Sequence, residues 1–214
     1  MKRIISIAAI AAFVSVYSVM AQAHPITPAA SVKTFTLSDK VGKNQFEWNS
    51  TAPLETINGT TEGITGWLKF DPTKPTTITG TVSANVATMK SGNDMRDNHI
   101  KSEKWLDAEK YENITFTAKS VKNQSVNGAK VIADVVGDFT MHGVTKQIVV
   151  PVEINYLKAN EETAKRAPGD FVSLTATFTV SLKDFAVKGS EGTIGNKVGE
   201  TISITAKLFA SDGQ

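Results

Sequence analysis

The chain has no cysteine in its 214 residues. That excludes disulfides, thiolate metal centres, a cysteine nucleophile and a lipid-modified cysteine at an export junction. The fold must therefore hold by its core alone, and a chain of this length can bury one large enough. Histidine is scarce, with three in all. They stand at His24, His99 and His142, too scattered for the clustered ligands of a metal site or for a Ser-His-Asp relay. An excess of one charge is missing as well. The formal net charge is +2, from 23 basic and 21 acidic residues. Lys2 and Arg3 account for that excess, and without them the balance is zero. No basic surplus remains to attract phosphate backbones, so nucleic acid is not an expected partner.

One long apolar run is present, Ile4 to Met20. Lys2 and Arg3 precede it and Ala21-Gln22-Ala23 follows as a small-x-small cleavage site, the form of an export signal. The run approaches the length of a membrane span, but its Ala-x-Ala ending before a Pro-rich polar stretch favours cleavage after Ala23. The expected organisation is a signal peptide over 1–23, a flexible lead over 24–31 with Pro25 and Pro28, and one domain over 32–210. The expected location is periplasmic or secreted, with no membrane span left after cleavage.

The rest reads as strand after strand. Apolar and polar residues alternate with the period of a half-buried strand. Ile202, Ile204, Ala206 and Leu208 share a face, as do Val172, Leu174, Ala176, Phe178, Val180 and Leu182. Further rows are Ile148–Ile154, Val131–Met141, Ile114–Ala118, Ile78–Val86 and Ile64–Phe70, each taken at every second residue. Two less regular strands lie near Val32–Leu37 and Gln45–Asn49. Eight or nine antiparallel strands with one dry face can bury it in a two-sheet sandwich or a closed barrel. Periodicity alone leaves both open. The apolar rows also contain small residues, among them Gly66, Gly80, Ala84, Ala118, Ala133, Gly137, Ala176 and Ala206. These either leave space for a ligand or fit a tapering, kinked wall.

The one non-strand insertion is Gly92 to Tyr111. Ser91-Gly92-Asn93-Asp94 has the form of a capping box, and two short helices are expected, Asp94–Ser102 and Glu103–Tyr111. Met95, His99 and Leu106 would share a face with Trp105 beside them. Two long polar loops follow later, Lys158–Gly169 and Phe185–Gly199. The residues of Arg96-Asp97-Asn98-His99 by themselves favour a self-satisfied network anchoring the cap to the barrel rim, and the alternative is that the guanidinium offers donors to a headgroup oxygen. His142 sits at a tight turn before Gly143 and reads as a backbone-bonding turn residue or a contact near a barrel mouth. Gly189-Ser190-Glu191-Gly192-Thr193-Ile194-Gly195 lacks the strand-before, helix-after context of a phosphate loop.

Two stretches separated by a β-rich spacer carry a family likeness: GNDMRDNHIKSEKWLDAEKYENITF (Gly92 to Phe116) and GDFTMHGVTKQIVVPV (Gly137 to Val152). With the lead-in from Gly63 and the tail segments FVSLTATFTVSLKDFAVKG and VGETISITAKLFA, the chain from Val32 to Ala210 resembles the YceI-like family of secreted lipid-binding proteins. The resemblance implies an all-β fold, a closed antiparallel eight-stranded lipocalin-like barrel with a short helical cap, holding a long isoprenoid or fatty chain. On that fold the inward apolar rows place the chain cavity at Leu68, Phe70, Val82, Ala84, Phe116, Ala118, Ala133, Val135, Phe139, Ala176, Phe178, Ile204 and Ala206. The cap and turn residues place the headgroup or mouth at Arg96, His99, Trp105 and His142. No catalytic residue, metal ligand or cofactor is expected. A copper site using His24 as the mature N-terminus, or a ligand-free envelope barrel, are the rival readings. The chain departs from the family pattern at Trp48-Asn49-Ser50-Thr51, where many members carry a Lys-His pair. If that pair serves a charged headgroup in relatives, a neutral one is expected here.

Overall fold

The computed structural model describes residues 32–213. The expected signal peptide, the lead and His24 lie outside the described residues. Ten strands follow in order: β1 (Lys33–Leu37), β2 (Gln45–Thr51), β3 (Thr56–Thr61), β4 (Ile64–Asp71), β5 (Lys74–Asn85), β6 (Asn113–Asn127), β7 (Lys130–Met141), β8 (Val144–Leu157), β9 (Phe171–Ser181) and β10 (Thr201–Ser211). Helix α1 (Asp94–Lys101) follows β5, and a single turn, α2 (Glu161–Ala164), lies between β8 and β9.

Every pairing is antiparallel. The strands run β1-β4-β5-β6-β7-β8-β9-β10, and β1 closes the circuit onto β10. This is the closed eight-stranded barrel expected from the resemblance. Tilted strands suit such closure, and several here exceed ten residues. The other two strands form a hairpin outside that circuit. The edge of β10 is shared in succession: its last residues pair with β1 (Thr36 with Ser211), its earlier ones with β2 (Ile204 with Trp48). β3 pairs with β2 and is tied on its other side by one bridge, Thr60 to Lys90. Strand β3 was not expected. Its inward row is Ile57, Gly59 and Thr61, with a single large apolar residue, so it carries no alternating signal.

The interior divides into two clusters along the barrel axis. The deep one centres on Phe35, Phe70, Val131, Ile154, Val172 and Ala210, all essentially solvent-free. It is sealed by a polar cluster. Lys33 pairs with Asp170 and with Asp212 at 2.5 Å. Asp170 also accepts from the Tyr156 hydroxyl at 2.5 Å and the Ala159 N–H at 2.7 Å. Burial raises the Asp170 pKa, but these hydrogen bonds and the Lys33 charge outweigh it and hold the carboxyl below its usual range. The second cluster, at the other end, gathers Val86, Leu106, Phe139, Met141, Val180, Leu182, Phe185 and Val187.

The insertion differs from expectation in two respects. The N-cap of α1 is Asn93, whose side chain accepts from the Arg96 N–H at 3.1 Å. Ser91 instead donates its N–H and hydroxyl to Asp97, at 2.7 and 2.6 Å. No second helix forms over Glu103–Tyr111. Asp107 takes a left-handed conformation (φ 49°), and the segment closes as turns, with the Leu106 N–H on Ile100 and the Tyr111 N–H on Asp107.

Candidate functional site: an apolar cavity with one polar end

The second cluster does not fill its end of the barrel. A cavity of about 480 Å³ remains, within the range of small-molecule sites. Its walls come from β2, β3, the last residues of β5, β7 and β9 and the first residues of β6 and β10, with α1 and Trp105 across one end. Phe46, Trp48, Ile57, Ile114, Phe139, Phe178, Ile202 and Ile204 are among the apolar residues that line it. Deeper in, a smaller space of about 90 Å³ adjoins it, sharing Phe46, Ile114, Phe139 and Phe178 as walls. Most of the polar groups gather at the rim, Glu55, Asn93, Arg96, His99, Thr193 and Lys197, while Ser50 and Thr61 are buried in the wall.

The residues expected to line a chain cavity are distributed unevenly. Ala84, Phe139, Phe178 and Ile204 line the main space. Leu68, Val82, Phe116, Ala118, Val135, Ala176 and Ala206 line the deeper one, again with Phe139 and Phe178. Phe70 and Ala133 line neither, being 0% and 1% exposed in the deep core. Gly137 leaves no room either. A Cβ there would lie 2.5 Å from Phe116 Cζ, so the ring covers the gap that the glycine opens.

At the rim, Arg96, His99 and Trp105 all face the cavity. His142 does not. It adopts φ 51°, its Nδ1 lies 3.1 Å from the Phe185 carbonyl, and its ring meets Tyr111 edge-on. Arg96 donates through Nη1 to Glu55 Oε1 at 2.5 Å and through Nε to Ser91 Oγ at 3.0 Å. The first of these bonds ties α1 to the β2–β3 turn. The same turn is held from the other side, where the Leu54 N–H donates to the Asn196 carbonyl at 3.0 Å.

The hairpin residues are the part of the site that sequence reasoning missed. Phe46, Trp48 and Ser50 form a legible inward row against Glu47, Asn49 and Thr51, but their strand was read only as irregular. Trp48 is the central wall residue. Its indole lies over Gly59, where a Cβ would come within 2.0 Å of the ring. Trp48 Nε1 is the one buried side-chain nitrogen or oxygen among the described residues that has no hydrogen-bond partner. Among the same residues, no three His, Asp or Glu side chains gather in a metal-binding group, and no helix is long and apolar enough to cross a membrane.

A closed antiparallel barrel, hollow and apolar at one end and capped by a short helix, defines a lipocalin-like protein. Residues 26–210 match the YceI-like domain, and the chain belongs to that family. It is 35% identical over 157 residues to a UPF0312 protein of Pseudomonas putida strain F1, a match covering 72% of this chain and 77% of that one. Among solved structures it is similar in fold to Burkholderia cenocepacia BcnA, with TM-score 0.66 and 19% identity, covering 82% of this chain and 99% of the other. It is also similar to a polyisoprenoid binding domain from Saccharophagus degradans, with TM-score 0.62 and 12% identity, covering 85% and 99%.

Proposed function

We propose that the chain is a non-catalytic carrier of a long-chain isoprenoid lipid, of quinone or polyprenyl type, in the periplasm. The observation that carries this is the cavity: a mostly apolar space of about 480 Å³ whose charged side chains, Glu55, Arg96 and Lys197, come from the capping helix and the neighbouring loops. A chain buried there gains about 0.8 kcal/mol per methylene before binding costs. Such binding needs no positioned acid, base or nucleophile. The polyisoprenoid binding domain with the same fold supports the ligand class. The leader over 1–23 supports export, with cleavage after Ala23 and the barrel domain over 32–210 as the mature working unit.

Lipid extraction and native mass spectrometry of protein purified from its own cells test the reading. A co-purified prenyl lipid, unchanged after incubation with the protein, is the expected result. An empty stable barrel that takes up no added prenyl lipid refutes it, and time-dependent modification of the lipid refutes the non-catalytic part. N-terminal sequencing of exported protein should begin at His24.

A further inference from the structure

The mouth of the cavity carries its arginine already paired. Arg96 meets Glu55 directly at 2.5 Å, and its Nε bonds Ser91 Oγ, which itself donates to the Asp97 carboxylate at 2.6 Å. Asp97 is 2% exposed and has Lys90 at 3.8 Å. Arg96 therefore faces one carboxylate in contact and a second through a hydroxyl. A guanidinium is the side chain best shaped to grip a phosphate or a carboxylate, and here two of its five N–H donors are engaged within the protein, one of them on a carboxylate that offsets its charge. The other cation at the rim, Lys197, has an exposed side chain on the Gly192–Val198 loop.

We infer that Glu55 is a specificity-determining residue, which makes the mouth favour lipids with an uncharged headgroup over anionic lipids of the same chain. This rests on the reading of the cavity as a lipid-chain site. An anionic headgroup brought to Arg96 meets the Glu55 charge or must displace it. A hydroxyl or carbonyl oxygen meets neither penalty and can still accept from Arg96. Glu55 enters through the β2–β3 turn, not through the helix that carries Arg96, so the filter is built from two separate parts of the chain. The two side chains are 29% and 42% exposed, which makes the effect moderate and weakened by salt.

The test compares a long-chain prenyl alcohol with the prenyl monophosphate of equal length, by titration at low salt, in the wild type and in Glu55→Gln. Glutamine keeps the side-chain size and the acceptor oxygen and removes only the charge. The wild type should bind the alcohol more tightly. In Glu55→Gln the ratio of phosphate to alcohol affinity should rise by about three- to fivefold, and added salt should erase most of that gain. An unchanged ratio, or a wild type that already prefers the phosphate, overturns the inference while leaving the lipid-carrier reading intact. A wild type that binds neither lipid removes both.

Discussion

Substituting Ile204 by phenylalanine separates a cavity wall from a packed core. Ile204 lies on the inner face of β10, half-buried because its side chain borders the empty space. Phenylalanine adds about three carbons without a polar atom and suits a strand. Those carbons displace roughly three methylenes of a bound chain, about 2.4 kcal/mol at 0.8 each, or about fiftyfold in Kd. A chain that slides outward through the mouth recovers part of this, so the expected loss is at least about tenfold. The folded state should keep its stability, since the ring enters open space. Ala133→Phe is the counterpart. Ala133 is 1% exposed and borders neither cavity, so there the ring overpacks the core and costs about 1–3 kcal/mol of stability. The fraction that remains folded should bind lipid as the wild type does. Thermal unfolding and titration with a quinone-bearing lipid read both quantities. If Ile204→Phe binds normally at full stability, the space beside it is not where the chain lies. If both variants lose equal stability with unchanged Kd, the barrel is packed at both positions.

Trp48 and Trp105 line the cavity, while Trp67 is 41% exposed on the outer wall. In Trp67→Phe, saturating lipid should therefore change nearly all the remaining indole emission, and an unaltered spectrum on binding would contradict the placement. Gly59→Ala puts a methyl within 2.0 Å of the Trp48 ring and 2.5 Å of the Lys90 carbonyl. It should cost about 1–3 kcal/mol in urea unfolding and weaken lipid binding, because the hairpin must shift. Asp170→Asn should lower stability by about 1–3 kcal/mol near neutral pH through loss of the charged partner of Lys33, with no change in lipid affinity. The native Asp170 pKa lies below its unfolded value. Its contribution is therefore fully present above about pH 4 and fades as pH falls through the native value. The gap between wild type and variant should close in acid, and a gap constant down to pH 2 would refute the assignment.

Seven of the eight circuit strands were legible because each alternates and each has one wet face, while β1 read only as a less regular strand. Val172–Leu182 and Val131–Met141 read directly as inward rows, and the structure buries them. Barrel and sandwich share that pattern, and only the family likeness separated them. The site was less legible for three physical reasons. Inward small residues do not imply space, since Gly137 is covered by Phe116 and Ala133 by its neighbours. Strand β3 hides because one of its three inward positions is a glycine that serves the Trp48 ring. Glu55 lies in a turn, where no periodicity applies and only the fold brings it to Arg96.

The division of β10 between two partners separates what must stay constant from what is free to change. The ring of eight strands is complete without residues 45–61. Those residues meet the ring through one strand edge, one bridge at Lys90, the inward packing of Phe46, the Gly199 N–H on Ser50 Oγ and the contacts of their own turn. Rewriting that short segment would remodel the wall, the rim charge and the entrance together while the load-carrying cylinder remained untouched. A lineage could exchange one cargo for another there in a few substitutions at positions that pack less tightly than Gly59, and relatives sharing the cylinder should differ most in cargo where their hairpins differ.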